Sequence, residues 1–158
     1  MGGQEVDEAF KQFLIKIFGN PVLEKFKVDA IEDYIGLFHE FEVKKRKASP
    51  DGTEYLTFTL PLTLVETFQR ETEETLTDAI NQTLFAANIN VLKGNKLRLD
   101  NSLVRSFFNK SVRSVLEHLE TFYANNEKYG ISVAILAGGF SESQMSRQIF
   151  FVESLGSS

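Results

Sequence analysis

The sequence predicts an α+β fold that changes to α/β grammar at its C-terminal end. Three observations carry this. Apolar residues recur at helical spacing in several stretches, as in Val6, Phe10, Phe13, Leu14 and Ile17. Two regions have the pattern of strands: Leu56, Phe58 and Leu60 alternate with threonines, and two short apolar stretches flank Lys93-Gly94-Asn95. An unbroken apolar run, residues 131–137, then stops at Gly138-Gly139 and leads into a polar helix start.

Taken in order, the spacing predicts a first helix over residues 5–18, closed by Gly19-Asn20-Pro21, and a short helical turn over residues 22–26. A second helix is expected over residues 29–47, with Ile31, Ile35 and Phe38 as its inward stripe. Ser49-Pro50-Asp51-Gly52 is a turn by its chemistry, and the alternating strand that follows ends at Pro61. A third helix, acidic outside through Glu66, Glu71, Glu73 and Glu74, is expected from Leu64 to Thr77 or beyond. Residues 89–92 and 96–99 then form a hairpin, with Leu97 and Leu99 inward and Lys96 and Arg98 outward. Asp100 or Asn101 can cap a long fourth helix whose face carries Val104, Phe107, Phe108, Val112, Val115, Leu119 and Phe122. It frays near Asn125-Asn126. The last strand covers residues 131–137, and Ser141 or Ser143 starts a last helix. The expected organisation is a single domain over residues 2–154, with 155–158 a small polar tail; no internal repeat and no low-complexity linker interrupts it.

At 158 residues the chain is long enough for one real core, to which its 15 phenylalanines contribute most of the aromatic bulk. The absence of cysteine excludes disulfides, thiolate metal sites and cysteine nucleophiles. A formal charge of -5 argues against sequence-independent nucleic-acid binding, which relies on a basic surface. No apolar stretch approaches the roughly 20 residues that span a bilayer. The first ten residues lack the basic and apolar regions of a signal peptide. The expected partners therefore include neither nucleic acid nor membrane. The expected compartment is the cytoplasm, with the nucleus as the alternative.

Two stretches carry chemistry. A buried strand that ends in glycines and feeds a helix places a ligand site at its carboxyl end. Gly138 and Gly139 would let the backbone approach a ligand, and the helix N-terminus would favour an anion. The plainer reading is a tight strand-to-helix turn capped by Ser143. A nucleophile elbow fails, because Ser143 stands where that motif needs glycine. His39 and His118 read as ordinary helix residues.

The second stretch lies on the second helix. Glu42, Lys45, Arg46 and Ser49 follow one another at i, i+3, i+4 and i+7, so they share one helix face. A carboxylate can accept from ribose hydroxyls, the cations can donate, and a guanidinium can stack on a base. Two other readings stand beside this one. Lys44 to Lys47 can be a solvated helix end that complements the helix dipole, or a nuclear-localisation patch.

Together these stretches resemble the ATPase domain of the heat-shock 70 kDa protein family, and more closely its type-12 branch. Gly2-Gly3-Gln4-Glu5-Val6-Asp7 is similar to the family's G-G-E-D-F-D. Glu42-x-x-Lys45-Arg46-x-x-Ser49 matches its E-x-x-K-R-x-x-S adenosine-binding helix, and Lys44 to Pro50 is close to the type-12 K-K-R-T-A-S-P. Ala137-Gly138-Gly139-Phe140-Ser141-Glu142-Ser143 resembles the type-12 V-G-G-F-A-E-S. Glu142 stands where most members have an arginine that packs on adenine, and Phe140 where they have serine.

The resemblance implies a fragment of the actin-like ATPase fold: subdomain IIB, a small, mostly antiparallel sheet packed with long helices, plus a slice of subdomain IIA. It implies that Glu42, Lys45, Arg46 and Ser49 contact the ribose and base of ATP or ADP. Gly138, Gly139, Phe140 and Glu142 would lie against the same nucleotide, and Gly3 at the cleft wall. The family's two phosphate-gripping turns, of the D-x-G-T-T and D-x-G-G-G-T kind, are not in this sequence. The expectation is therefore weak nucleotide binding, no Mg²⁺ site, no catalytic residue and no hydrolysis by this chain alone. Mg²⁺ would be held only by the full-length domain. The alternative function is a protein-interaction module for a nucleotide-exchange factor or client, docking on the acidic helix from Leu64 and the Lys93-Gly94-Asn95 tip.

Overall fold

The computed structural model of the chain describes residues 2–47 and 55–126. Within α1 (Gly2–Phe18), the side chains of Val6, Phe10, Phe13, Leu14 and Ile17 form the buried stripe that the spacing predicts. Gly19 ends the helix with φ 85°, in a backbone region that side chains disfavour, and its N–H closes on the Ile15 carbonyl at 2.7 Å. Pro21 then lies in the first turn of α2 (Asn20–Asp29), where a missing N–H costs nothing. This helix is longer than the single turn expected, because Val22, Leu23 and Phe26 all find the core.

α3 (Ile31–Lys45) departs from expectation in its facing. Ile31 and Ile35 are exposed, at 47% and 60%, and the buried line is Leu37, Phe41 and Lys45, flanked by Tyr34 and Phe38. The cause is Phe10 of α1. Its ring stacks on Phe41 at 4.1 Å between centroids and meets Phe38 edge-on at 5.5 Å, which rotates α3 toward α1.

The sheet has three antiparallel strands in the order β1 (Leu56–Thr59), β3 (Lys96–Leu99), β2 (Ile89–Leu92). The expected hairpin forms in register around Lys93-Gly94-Asn95, with Gly94 at φ 70°. Phe58, Ile89, Leu97 and Leu99 make its buried face, while Arg98 turns outward over the Tyr55 ring at 4.3 Å.

The third helix is two helices. α4 (Leu62–Thr72) stops where Glu73 takes the left-handed conformation, φ 59°. α5 (Leu76–Asn81) restarts behind a capping box in which Thr75 and Asp78 bond each other's backbone N–H. A 3-10 turn, Ala86–Asn88, leads into β2.

α6 (Asn101–Asn126) packs along α1 and buries Leu103, Val104, Phe107, Phe108 and Val112. Asp100 is its cap. One carboxylate oxygen accepts from the Leu103 N–H at 3.0 Å and from the Ser102 hydroxyl at 2.7 Å; the other accepts from the Asn88 amide at 2.7 Å. The α+β character of the described residues agrees with the sequence reading.

Candidate functional site

The C-terminal end of α3 is where the structure concentrates charge. Lys45 is 6% exposed, so its ammonium cannot be left to water. It donates to Asp7 of α1 at 2.7 Å, pairs with Glu42 one turn back at 2.5 Å, and sits 5.9 Å from the Phe41 ring centre. The other oxygen of Glu42 accepts from the half-exposed Arg46 guanidinium at 3.0 Å. Thus Asp7, Lys45, Glu42 and Arg46 form one ordered chain of alternating charge that runs from the interior to the surface.

The expectation that Glu42, Lys45 and Arg46 line one open face is corrected in part. Glu42 and Arg46 do lie on an accessible shoulder, in continuation of the exposed Ile31 and Ile35. Lys45 turns inward, because the line that carries Leu37 and Phe41 into the core reaches Lys45 on its next turn. Of the other candidates, Gly3 lies in the first turn of α1, one turn before Asp7. Ser49, Gly138, Gly139, Phe140 and Glu142 fall outside the described residues, as do the last strand and helix. The structure therefore joins two of the motifs singled out in the sequence: the Gly2–Asp7 segment and the Glu42–Arg46 segment meet through Asp7 and Lys45.

Asp7 is the functional candidate that sequence reasoning missed. It sits inside the quoted first motif, but nothing in one dimension pairs it with a lysine 38 positions away. In the basic run Lys44 to Lys47, the first three cations are already paired. Lys44 pairs with Glu40 at 2.6 Å and donates to the Thr57 carbonyl, and Lys45 and Arg46 are paired as described. His39 and His118 are exposed residues of α3 and α6.

Burial pushes the Glu42 carboxyl upward, but the hydrogen bonds and charges of Lys45 and Arg46 outweigh it and hold it below its ordinary value. Asp100 behaves alike: burial raises it, and the bonds from Asn88, Leu103 and Ser102 bring it below its ordinary value. A depressed folded-state value means that the unfolded chain binds the proton more tightly. The stability from both groups is then complete above their ordinary values and is lost as pH falls through the folded ones. Urea midpoints should therefore be flat near neutrality and drop below about pH 4.5, the window set by ordinary carboxyl values. Glu42→Gln should shrink that drop; an unchanged acid limb would show that Glu42 is not depressed.

Two hollows lined by described residues lie away from Glu42, Lys45 and Arg46. One, about 280 Å³, lies between α1 and α6 over Phe13, Phe85, Leu103 and Phe107. The other, about 390 Å³ and wide open, lies between α3 and the end of β1, with Glu32, Asp33 and Glu40 on its wall. No group of acidic or histidine side chains suited to a metal ion occurs among the described residues, and none of the described helices is long and apolar enough to cross a membrane.

No protein-family model and no solved structure matches the chain. Human heat shock 70 kDa protein 12A is 28% identical over 150 residues, which are 93% of this chain and 22% of that protein; the mouse protein of the same name gives the same figures. Human heat shock 70 kDa protein 12B is 28% identical over 145 residues, 90% of this chain and 21% of its own length. The chain thus spans about a fifth of the length of the curated relatives it matches. Along nearly all of its sequence, then, the chain is similar to the type-12 heat-shock 70 kDa proteins, 12A and 12B.

Proposed function

We propose that the chain is the outer part of lobe II, subdomain IIB with a slice of IIA, of an actin-like ATPase domain. Its role there is to supply the adenosine-contacting wall of an ATP or ADP cleft. The observation that carries this reading is the charge chain Asp7–Lys45–Glu42–Arg46 at the end of α3, in a relative of the type-12 proteins.

The chemistry follows from that order. The buried Lys45 fixes the rotamer of Glu42 and neutralises it, so the carboxylate is positioned before any ligand arrives. Glu42 retains lone pairs for ribose hydroxyls. The guanidinium of Arg46, bonded along one edge and half exposed, offers a planar face to the base. By the resemblance, Ser49, Gly138, Gly139, Phe140 and Glu142 would contact the same nucleotide, with Gly3 at the cleft wall. Phosphate contacts and Mg²⁺ belong to the turns of the longer protein. This chain alone therefore binds ADP weakly and does not hydrolyse ATP.

The test is a chimera in which the chain replaces its matching segment in human heat shock 70 kDa protein 12A. Calorimetry with ADP, adenosine and GTP should show adenine selectivity. Arg46→Ala and Glu42→Gln should each weaken ADP by about tenfold or more, the scale of one hydrogen bond to a charged group. Unchanged ADP affinity in both variants would remove the assignment.

A further inference from the structure

The two outer edges of the sheet are treated differently, and the difference can be derived bond by bond. Backbone polar groups of a strand point alternately to its two sides. Leu60 N–H donates to the Asn95 carbonyl at 2.8 Å, so Asn95, Leu97 and Leu99 are the residues through which β3 bonds β1. Lys96 and Arg98 therefore bond β2, in line with the Asp100 N–H on the Asn88 carbonyl at 2.9 Å. Given the register, Asn90 and Leu92 of β2 face β3, and Ile89 and Val91 aim their backbone groups away from the sheet.

The outer edge of β1 is covered in part by charged side chains. Its outward residues are Thr57 and Thr59. Lys44 donates to the Thr57 carbonyl, and the Thr59 N–H reaches Glu40 at 3.5 Å. The outer edge of β2 has no such charged cover among the described residues. The Ile89 N–H is taken by the Ala86 carbonyl of the 3-10 turn. Among the described residues nothing meets the Ile89 carbonyl or the N–H and carbonyl of Val91. The strand carries no charge, proline or bulge, the usual devices that blunt an edge. Val91 is also 36% exposed although it sits on the core face of the sheet.

We propose that this edge binds a second copy of the chain, β2 against β2, antiparallel, about a two-fold axis at Asn90. The free groups are self-complementary. Val91 offers a donor and Ile89, two residues back, offers an acceptor, so the axis makes two Val91 N–H to Ile89 carbonyl bonds, one in each direction. The register sets Val91 beside Ile89 of the second copy, which covers the exposed valine with apolar surface. Asn90 faces Asn90, and Lys93 lies opposite Ala87, so no like charges meet. The contact is short, and the dimer is correspondingly weak and rapidly exchanging.

Sedimentation of the 158-residue chain over a wide concentration range tests this. The sedimentation coefficient should rise from monomer to dimer, and the Val91 amide should become protected from hydrogen exchange as dimer forms. Val91→Pro removes only the outward N–H, which takes no part in the β3 ladder, and should weaken association at least tenfold. Val91→Lys should do the same by placing a charge beside Ile89 of the second copy. Val91→Thr keeps the N–H and should dimerise like the parent. Equal association by all four proteins would overturn the proposal, since another surface would then be at work. So would a monomer at every concentration, whether its Val91 amide is exposed or is already protected by the chain's own remainder. Should Val91→Pro fail to fold, Val91→Lys and the exchange data decide alone.

Discussion

Phe10→Ala is expected to cost about 3–5 kcal/mol, the usual range for emptying a large aromatic site in a core. Phe10 is 1% exposed and stands at the meeting point of α1, α3, β1 and α6. Its ring stacks on Phe41, meets Phe38 and Phe107 edge-on at 5.5 and 6.3 Å, and touches Phe13 and Phe58. Few of these neighbours can relax inward, because Phe41 and Phe58 are themselves fully buried and belong to different elements. A chain of this size has only a modest margin over unfolding. The expected readout is a large fall in urea midpoint, or loss of the cooperative transition altogether. Phe10→Leu should be far milder, because it keeps most of the volume. A loss below about 1 kcal/mol for Phe10→Ala would mean that the aromatic cluster is not the centre of the core.

Lys45→Ala is the second large effect. Removing one partner of a buried ion pair typically costs about 3–5 kcal/mol. Here Asp7 and Glu42 keep contact with water, at 40% and 34% side-chain exposure, so the expected loss is nearer 2 kcal/mol. Two carboxylates would be left facing each other over the space of the missing ammonium. A double-mutant cycle with Asp7→Asn isolates the bond between α1 and α3, with an expected coupling of about 1–2 kcal/mol. Additive losses would show that the Asp7–Lys45 contact does not bind the two helices together. The same variants separate structure from ligand chemistry. On the proposed reading, Lys45→Ala should lower both stability and nucleotide affinity, whereas Arg46→Ala, on the exposed shoulder, should lower affinity with only a small loss of stability.

What could be read from the sequence follows from how local each signal is. The hairpin is written in six alternating residues and a glycine, and its strands fall where the pattern puts them. α1 and the first half of α6 carry a single narrow apolar stripe each, so their buried faces were legible too. α3 carries apolar residues around most of its circumference: Ile31, Tyr34, Ile35, Leu37, Phe38, Phe41 and Val43. With so many choices the stripe is decided by the partner, and only the stacking on Phe10 selects Leu37 and Phe41 over Ile31 and Ile35. The break after α4 has no glycine or proline to announce it. Its one signal was Thr75-x-x-Asp78, a capping pattern inside what reads as a continuous helix. The spacing of Glu42, Lys45 and Arg46 was legible because it is helical. The inward turn of Lys45 and its bond to Asp7 were not, because a tertiary contact between distant positions leaves no periodic trace.

The pair of charged side chains that Lys44 and Glu40 lay along β1 bears on how far pairing through this sheet can extend. A ribbon that can be extended from either flank recruits chains without end and becomes a fibril. A ribbon with charge laid along one flank favours a single neighbour on the other, so pairing through this sheet should stop at two copies.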